Sequence, residues 1–324
     1  MANINDIKET IASAFEQFEN EFNNVLKSDI CTIQKAIETI HHSNGKHIRP
    51  LLVLLTAQAC GNLNTTSVHS AVLLELLHTA SLIHDDVVDE TKQRRGVPSI
   101  SAIYDNRIAV LVGDFILADT LIRAVETGNK QIVKIIAMLS REMAEGEIKQ
   151  LENISELILH EKDYFIALEK KTAMLLASCT EIGAITANVN AELQQKCKEF
   201  GQYLGYCFQI KDDIFDYFDS PEIGKPSGND IREGKVTLPL IHALETANNY
   251  DRDIYLKKLS KQEISVENIA ALIKFAKAHG GIEYAEQRMF EYKQKADKII
   301  QTLPESDARK SLLLLSDYIV ERTK

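Results

Sequence analysis

Nearly every stretch of this chain repeats its apolar residues with the 3.6-residue period of an α-helix, and helix breakers are scarce. In Ile4–Leu26 the residues Ile7, Ile11, Ala14, Phe15, Phe18 and Phe22 fall on one stripe. The pattern predicts further helices over Val68–Asp89, Ile108–Thr127, Gln131–Leu151, Lys162–Asn188, Glu192–Tyr217, Leu238–Asn248, Val266–Gly280, Ile282–Thr302 and Glu305–Glu321. Pro50 heads the apolar run Leu51–Ala59, a first-turn position where its missing N–H costs nothing. Gly61 and Asn62 end that helix, and Ser67 is the expected cap of the next. Only 14 of 324 residues are Gly and 6 are Pro, both below average use, and no alternating stretch is long enough to build a sheet. The expectation is an all-α fold, with residues 1–324 as a single domain.

Charge narrows the function. The net charge is −10 and no basic stripe stands out, which argues against nucleic acid as a partner. The five cysteines are scattered without a CxxC pair, the usage of free thiols in a reducing cytoplasm. The first residues lack the basic start and apolar run of a signal peptide. No run of 18 uncharged apolar residues occurs, so no membrane-spanning segment is expected.

Two short stretches break the apolar pattern in the same way. Leu82–Glu90 carries Asp85, Asp86 and Asp89, and Gln209–Asp219 carries Asp212, Asp213 and Asp216. On a helix the first and third aspartates of each set lie on one face, about 6 Å apart along the axis. Beside Ile83, Val87, Ile210 and Ile214 such charges are partly desolvated, where repulsion can reach about 4 kcal/mol per close pair. A counterion is therefore expected. An all-carboxylate donor set selects a hard cation, Mg²⁺ or alternatively Mn²⁺, and Mg²⁺ commonly completes its shell with phosphate oxygens. A solvated acidic helix edge explains one such motif well and two matched ones poorly.

Basic residues cluster beside both motifs: Lys46 and Arg49; Lys92, Arg94 and Arg95; Lys170 and Lys171; Lys225, Arg232 and Lys235. Arg and Lys next to carboxylate-bound cations make a diphosphate clamp. The breaker-rich stretch Ser220–Gly234 reads as a functional loop. His78, seven residues before Asp85, shares its helix face and suits a hydrogen bond to a second diphosphate as well as a core role. A P-loop is excluded: Gly228–Lys235 has five residues between its glycines and Val236 follows the lysine.

The ordered set of GKxxRP at Gly45–Pro50, DDxxD at Asp85–Asp89 with Arg-Arg-Gly after it, Lys171-Thr172, FQxxDDxxD at Phe208–Asp216 and GKVTLP at Gly234–Pro239 resembles the trans-isoprenyl diphosphate synthases of the polyprenyl synthetase family. The resemblance implies helices around a central cavity and a homodimer. It implies Mg²⁺ on Asp85, Asp89 and Asp212, with Asp86, Asp213 and Asp216 in support. Arg94, Lys171, Lys225 and Lys235 would bind the allylic diphosphate. Lys46, Arg49, His78 and Arg95 would bind isopentenyl diphosphate, and Thr172 and Gln209 would flank the forming carbocation. One departure is His47, where many relatives carry a second basic residue; a neutral side chain there weakens isopentenyl diphosphate binding. Relatives that stop at farnesyl close the tail cavity with aromatics just before the first motif. Here those positions are Ala80 and Ser81, so the expected product is longer than geranylgeranyl, a quinone side-chain precursor, with the floor deeper at Leu74, Leu77 or Met138. Release of such a product brings peripheral membrane contact into view. The alternatives are a geranylgeranyl or farnesyl diphosphate synthase, a terpene cyclase, a non-catalytic partner subunit, and an HD-type metal phosphohydrolase built on His84-Asp85 with His78.

Overall fold

The helical period of the sequence is realised along the described part of the computed structural model, residues 3–42, 45–94, 96–219, 227–259 and 264–322. Among these residues the extended elements are two dipeptides, Gln93–Arg94 paired antiparallel with Val97–Pro98, directly after the first aspartate motif. One cluster of buried apolar side chains runs from Ile7 to Val320. Ile48–Ala59 and Met174–Thr186 are buried over nearly their whole lengths and pack on each other at its centre. The helix Thr65–Val88 is long and apolar enough to cross a membrane, yet 72% of its apolar window is packed inside the protein, as befits a core helix.

Several boundaries differ from the sequence expectation. The first stripe is split into Ile4–Glu9 and Ala12–Val25, although Ile7, Ile11, Phe15, Phe18 and Phe22 stay buried along one line. Thr10, at the break, bonds Ser311 on the last helix at 2.7 Å. Ser67 is not the cap of the first-motif helix. Asn64 is: its extended backbone lets its side chain accept from Ser67 N–H, and the Ser67 hydroxyl accepts from Asn64 N–H in return. Cys31–His42 and Asn249–Leu259 add helices beyond the expected runs.

The most consequential departure lies within 162–188. Glu161–Leu168 and Met174–Thr186 are α-helical, but Glu169–Ala173 between them is a π-helical turn. The wider turn admits one extra residue and re-aims the side chains it carries, here Lys171 and Thr172. Two neighbouring glycines make room for it. A Cβ on Gly205 would lie 2.4 Å from Ala173 Cα, and one on Gly146 would lie 2.8 Å from Lys171 N. Both contacts are with parts of the turn that cannot swing away. Gly205→Ala is therefore expected to cost about 1–3 kcal/mol by overpacking. Urea denaturation reads this loss, and an unchanged midpoint would show that the turn is not wedged in place.

Candidate active site

Six helices, Ile48–Ala59, Thr65–Val88, Asn106–Glu126, Lys130–Ser155, Met174–Thr186 and Ala191–Phe215, enclose a cavity of about 760 Å³ together with the π-turn and the Gly228–Lys235 segment. That is within the range of about 300–1,000 Å³ usual for small-molecule sites. Its mouth is polar: Asp85, Asp89 and Asp212 face Lys171 and Lys235, with Arg49 and His78 to one side. Its depth is apolar, walled by Leu77, Ala80, Ser81, Leu117 and Met143, with Ser140 among them. The Ser81 hydroxyl donates to His78 O at 2.8 Å, so the residue adds little polarity to the wall. Of the expected floor residues, Leu77 lines the cavity, beside Leu117 and Ser140, while Leu74 is fully buried in the core and Met138 is exposed, and neither of these two lines it.

The first motif ends its helix. Asp85 is on the last turn and Asp89 is the C-cap residue. Burial pushes Asp85 up to about 6; Lys171 and Arg94 oppose the rise, while Glu147 and Asp89 add to it. Asp86 turns away from the cavity mouth. Both Nε and Nη2 of Arg94 reach its Oδ1, at 2.7 and 2.6 Å. The strand pair after the motif brings Arg94 back onto the helix, an arrangement no helical periodicity signals. His84 bonds Val110 O at 3.2 Å and pairs with Asp114 at 3.4 Å, so it does not join Asp85 in the manner a phosphohydrolase would need.

The second motif divides its three carboxylates among three tasks. Asp212 faces the cavity and pairs with Arg322 at 2.7 Å. Asp213 is 3% exposed and accepts from Tyr164 OH at 2.6 Å and Gln209 Nε2 at 2.8 Å. Burial and nearby Asp230 push its carboxyl up, and those two donors hold it down. Asp216 is, with Asp213, one of the carboxylates expected in support of the metal ligands. Its oxygens accept from Asn229 N and Asp230 N at 2.8 and 3.1 Å, fastening the short helix Asn229–Arg232 under the lysine-bearing segment.

Of the cations expected on the allylic diphosphate, Arg94, Lys171 and Lys235 each have an acidic partner. Lys171 pairs with Glu147 and bonds Gln150 Oε1 at 2.9 Å. Lys235 sits 3.4 Å from both Asp89 oxygens and 2.8 Å from Glu233; burial alone would lower it, and these carboxylates raise it instead. Thr172 Oγ1 donates to Gln209 Oε1 at 2.9 Å, which continues the chain through Gln209 to Asp213. Lys46 lies over the Tyr318 ring. Arg95 and Lys225 lie outside the described residues. Glu147, Gln150, Tyr164, Glu233 and Arg322 were not singled out by the sequence. Glu147 and Gln150 share a helix face and were in principle legible; nothing local marks Tyr164 or Arg322, which reach the site from distant elements.

The donor set fits a hard divalent cation. Asp85, Asp89 and Asp212 offer only carboxylate oxygens to one cavity, and burial, with Glu147 and Asp89 nearby, disfavours the charged form of Asp85, a cost that a cation would relieve. Among the described residues no three acidic, His or Cys groups converge on one point, so such a cation would need water and ligand oxygens as well.

Comparison with known proteins follows the same line. The polyprenyl synthetase family model matches residues 31–276. All-trans-nonaprenyl-diphosphate synthase (geranyl-diphosphate specific) of Rhodobacter capsulatus is 34% identical over 98% of this chain and 97% of its own. A polyprenyl synthase of Caulobacter crescentus CB15, solved with calcium and isoprenyl diphosphate, superposes with a TM-score of 0.94 at 30% identity over 100% of this chain and 99% of that one. A geranylgeranyl pyrophosphate synthase of Bacteroides thetaiotaomicron is 40% identical, with a TM-score of 0.86 over 98% and 99% of the two chains. With paired aspartate motifs across one helical cavity and a family match over most of its length, this chain belongs to the polyprenyl synthetase family of prenyltransferases.

Proposed function

We propose that the protein extends an allylic diphosphate with isopentenyl diphosphate to a polyprenyl diphosphate longer than geranylgeranyl. The observation that carries this reading is the single cavity with two aspartate motifs at its mouth and a small-residue apolar wall at Ala80 and Ser81. Mg²⁺ on Asp85, Asp89 and Asp212 would supply electrostatic stabilisation of the leaving diphosphate. Lys171, Lys235 and Arg94 bind that diphosphate, exchanging their present acidic partners for its oxygens. The allylic C–O bond breaks and its electron pair leaves with the diphosphate.

Thr172 and Gln209 turn oxygen dipoles toward the carbon left electron-poor. Their donors are spent along the line Thr172 to Gln209 to Asp213, so lone pairs remain for the cavity. Lys46, Arg49 and His78 hold isopentenyl diphosphate beside it. The π electrons of that substrate form the new C–C bond, and the proton then lost passes to the departed diphosphate. The apolar wall keeps water from the cation.

The product tail runs past Ala80 and Ser81 toward Leu77, Leu117 and Ser140. A product of that length has poor solubility, and its release calls for peripheral contact with a membrane. We place the enzyme in the cytoplasm, as one domain, and as a homodimer. The face for the second copy is the stripe of Leu111, Ile122 and Val125 on Asn106–Glu126, all more than half exposed. The 40% identity to a geranylgeranyl pyrophosphate synthase favours a shorter product as the second reading.

Product chromatography separates the two readings, and Ala80→Phe is expected to shorten the product sharply; an unchanged length refutes the open-wall argument. Asp85→Asn is expected to lower kcat by roughly 10²- to 10³-fold. Chelation should abolish turnover and added Mg²⁺ restore it; activity that survives chelation would sink the metal assignment. Ile122→Glu should convert a dimer to monomer in sedimentation experiments.

A further inference from the structure

His47 stands in the GKxxRP segment between Lys46 and Arg49, yet its ring does not line the cavity that Arg49 lines. It precedes the helix Ile48–Ala59 with φ 49° and ψ 44°, the left-handed region. A non-glycine residue there stores about 1 kcal/mol or more and persists only where its surroundings hold it. The surroundings are specific. Its Nδ1 lies 3.2 Å from Glu75 Oε1, and Glu75 is 4% exposed on the first-motif helix, one turn before His78. Phe15, Phe18 and Phe22 present themselves edge-on to its ring, with centroids 6.5, 5.5 and 5.9 Å away.

These contacts join three elements at one ring: the N-terminal helix Ala12–Val25, the first-motif helix, and the turn into Ile48–Ala59. Arg49 is two residues further along that turn and reaches the cavity mouth with His78. Arg49 and Glu75 both lie close enough to the buried Cys179 to bias its thiol, in opposite directions, so the two share one electrostatic neighbourhood. A side chain that fixes the backbone between two cations fixes where those cations point.

We infer that His47 is a positioning residue: held by Glu75 and the three phenylalanines, it locks the turn that aims Lys46 and Arg49 at isopentenyl diphosphate. The inference rests on the anchor role proposed above for those two cations. It differs from a direct substrate contact, because the ring lines the cavity behind the first-motif helix, with Phe18, Thr79 and Asp86, and not the substrate cavity.

The test is steady-state kinetics with each substrate varied in turn. His47→Phe keeps an aromatic ring in the cage and removes the Glu75 partner. It should raise KM for isopentenyl diphosphate about tenfold, while KM for the allylic substrate and kcat change less than about threefold. His47→Arg, which restores a donor to Glu75, should recover most of that KM. Thermal melting of both variants accompanies the kinetics. A fall in kcat, both KM values and melting temperature together would overturn the proposal in favour of a merely structural role. So would an unchanged KM in His47→Phe where Lys46→Ala and Arg49→Ala raise it. If those two alanine variants also leave KM unchanged, the anchor assignment itself fails and the proposal falls with it.

Discussion

Carboxylates brought together in a poorly solvated cavity must be neutralised, and the arrangement around the two aspartate motifs follows from that demand. Isolated charges in such a place would cost several kcal/mol each. The protein answers with a partner for almost every one: Arg94 on Asp86, Lys235 on Asp89, Arg322 on Asp212, and two hydrogen-bond donors on Asp213. Asp85 has Lys171 and Arg94 acting on it from its surroundings, and burial still pushes its carboxyl up, as it does those of Asp212 and Asp213. The cavity is therefore poised between a self-neutralised state and one in which divalent cations and phosphate oxygens redistribute the same charges.

Such a cavity needs rigid walls, because a displaced lysine cannot serve two partners in turn. The π-turn at Glu169–Ala173 supplies Lys171 and Thr172 from a helix whose regular continuation would aim them elsewhere. It is wedged between Gly146 and Gly205, so the position of two cavity residues depends on the absence of side chains on two other helices. Asp216 plays a comparable part on the opposite wall. It gives up the cavity to fasten Asn229 and Asp230, and so steadies the segment that carries Lys235.

The polar mouth and the apolar depth are also physically linked. One helix, Thr65–Val88, carries Asp85 at its end and Ala80, Ser81 and Leu77 along the same face one and two turns earlier. Whatever fixes the diphosphate at the mouth fixes the line along which a tail must grow. Small side chains on that line leave room, and the next obstacles come from other helices, at Leu117 and Ser140.

Local rules were enough for much of this. Period, scarce breakers and matched aspartate spacing depend only on neighbours within a turn or two, and they determined the all-α class and the paired carboxylates; the family resemblance of the ordered motifs added Lys171, Thr172, Gln209 and Lys235, which the structure gathers with Asp85, Asp89 and Asp212 at one cavity. Tertiary structure alone decided how that group is wired. Spacing set the first and third aspartates of each motif on one face, yet Asp216 as well as the middle Asp86 is taken up by other partners, because a short helix and a hairpin dock there. The π-turn wedged by Gly146 and Gly205, and the reach of Tyr164 and Arg322, depend on contacts between residues far apart in the chain. A sequence pattern can state which face of a helix a side chain occupies; what stands opposite that face exists only once the helices have packed.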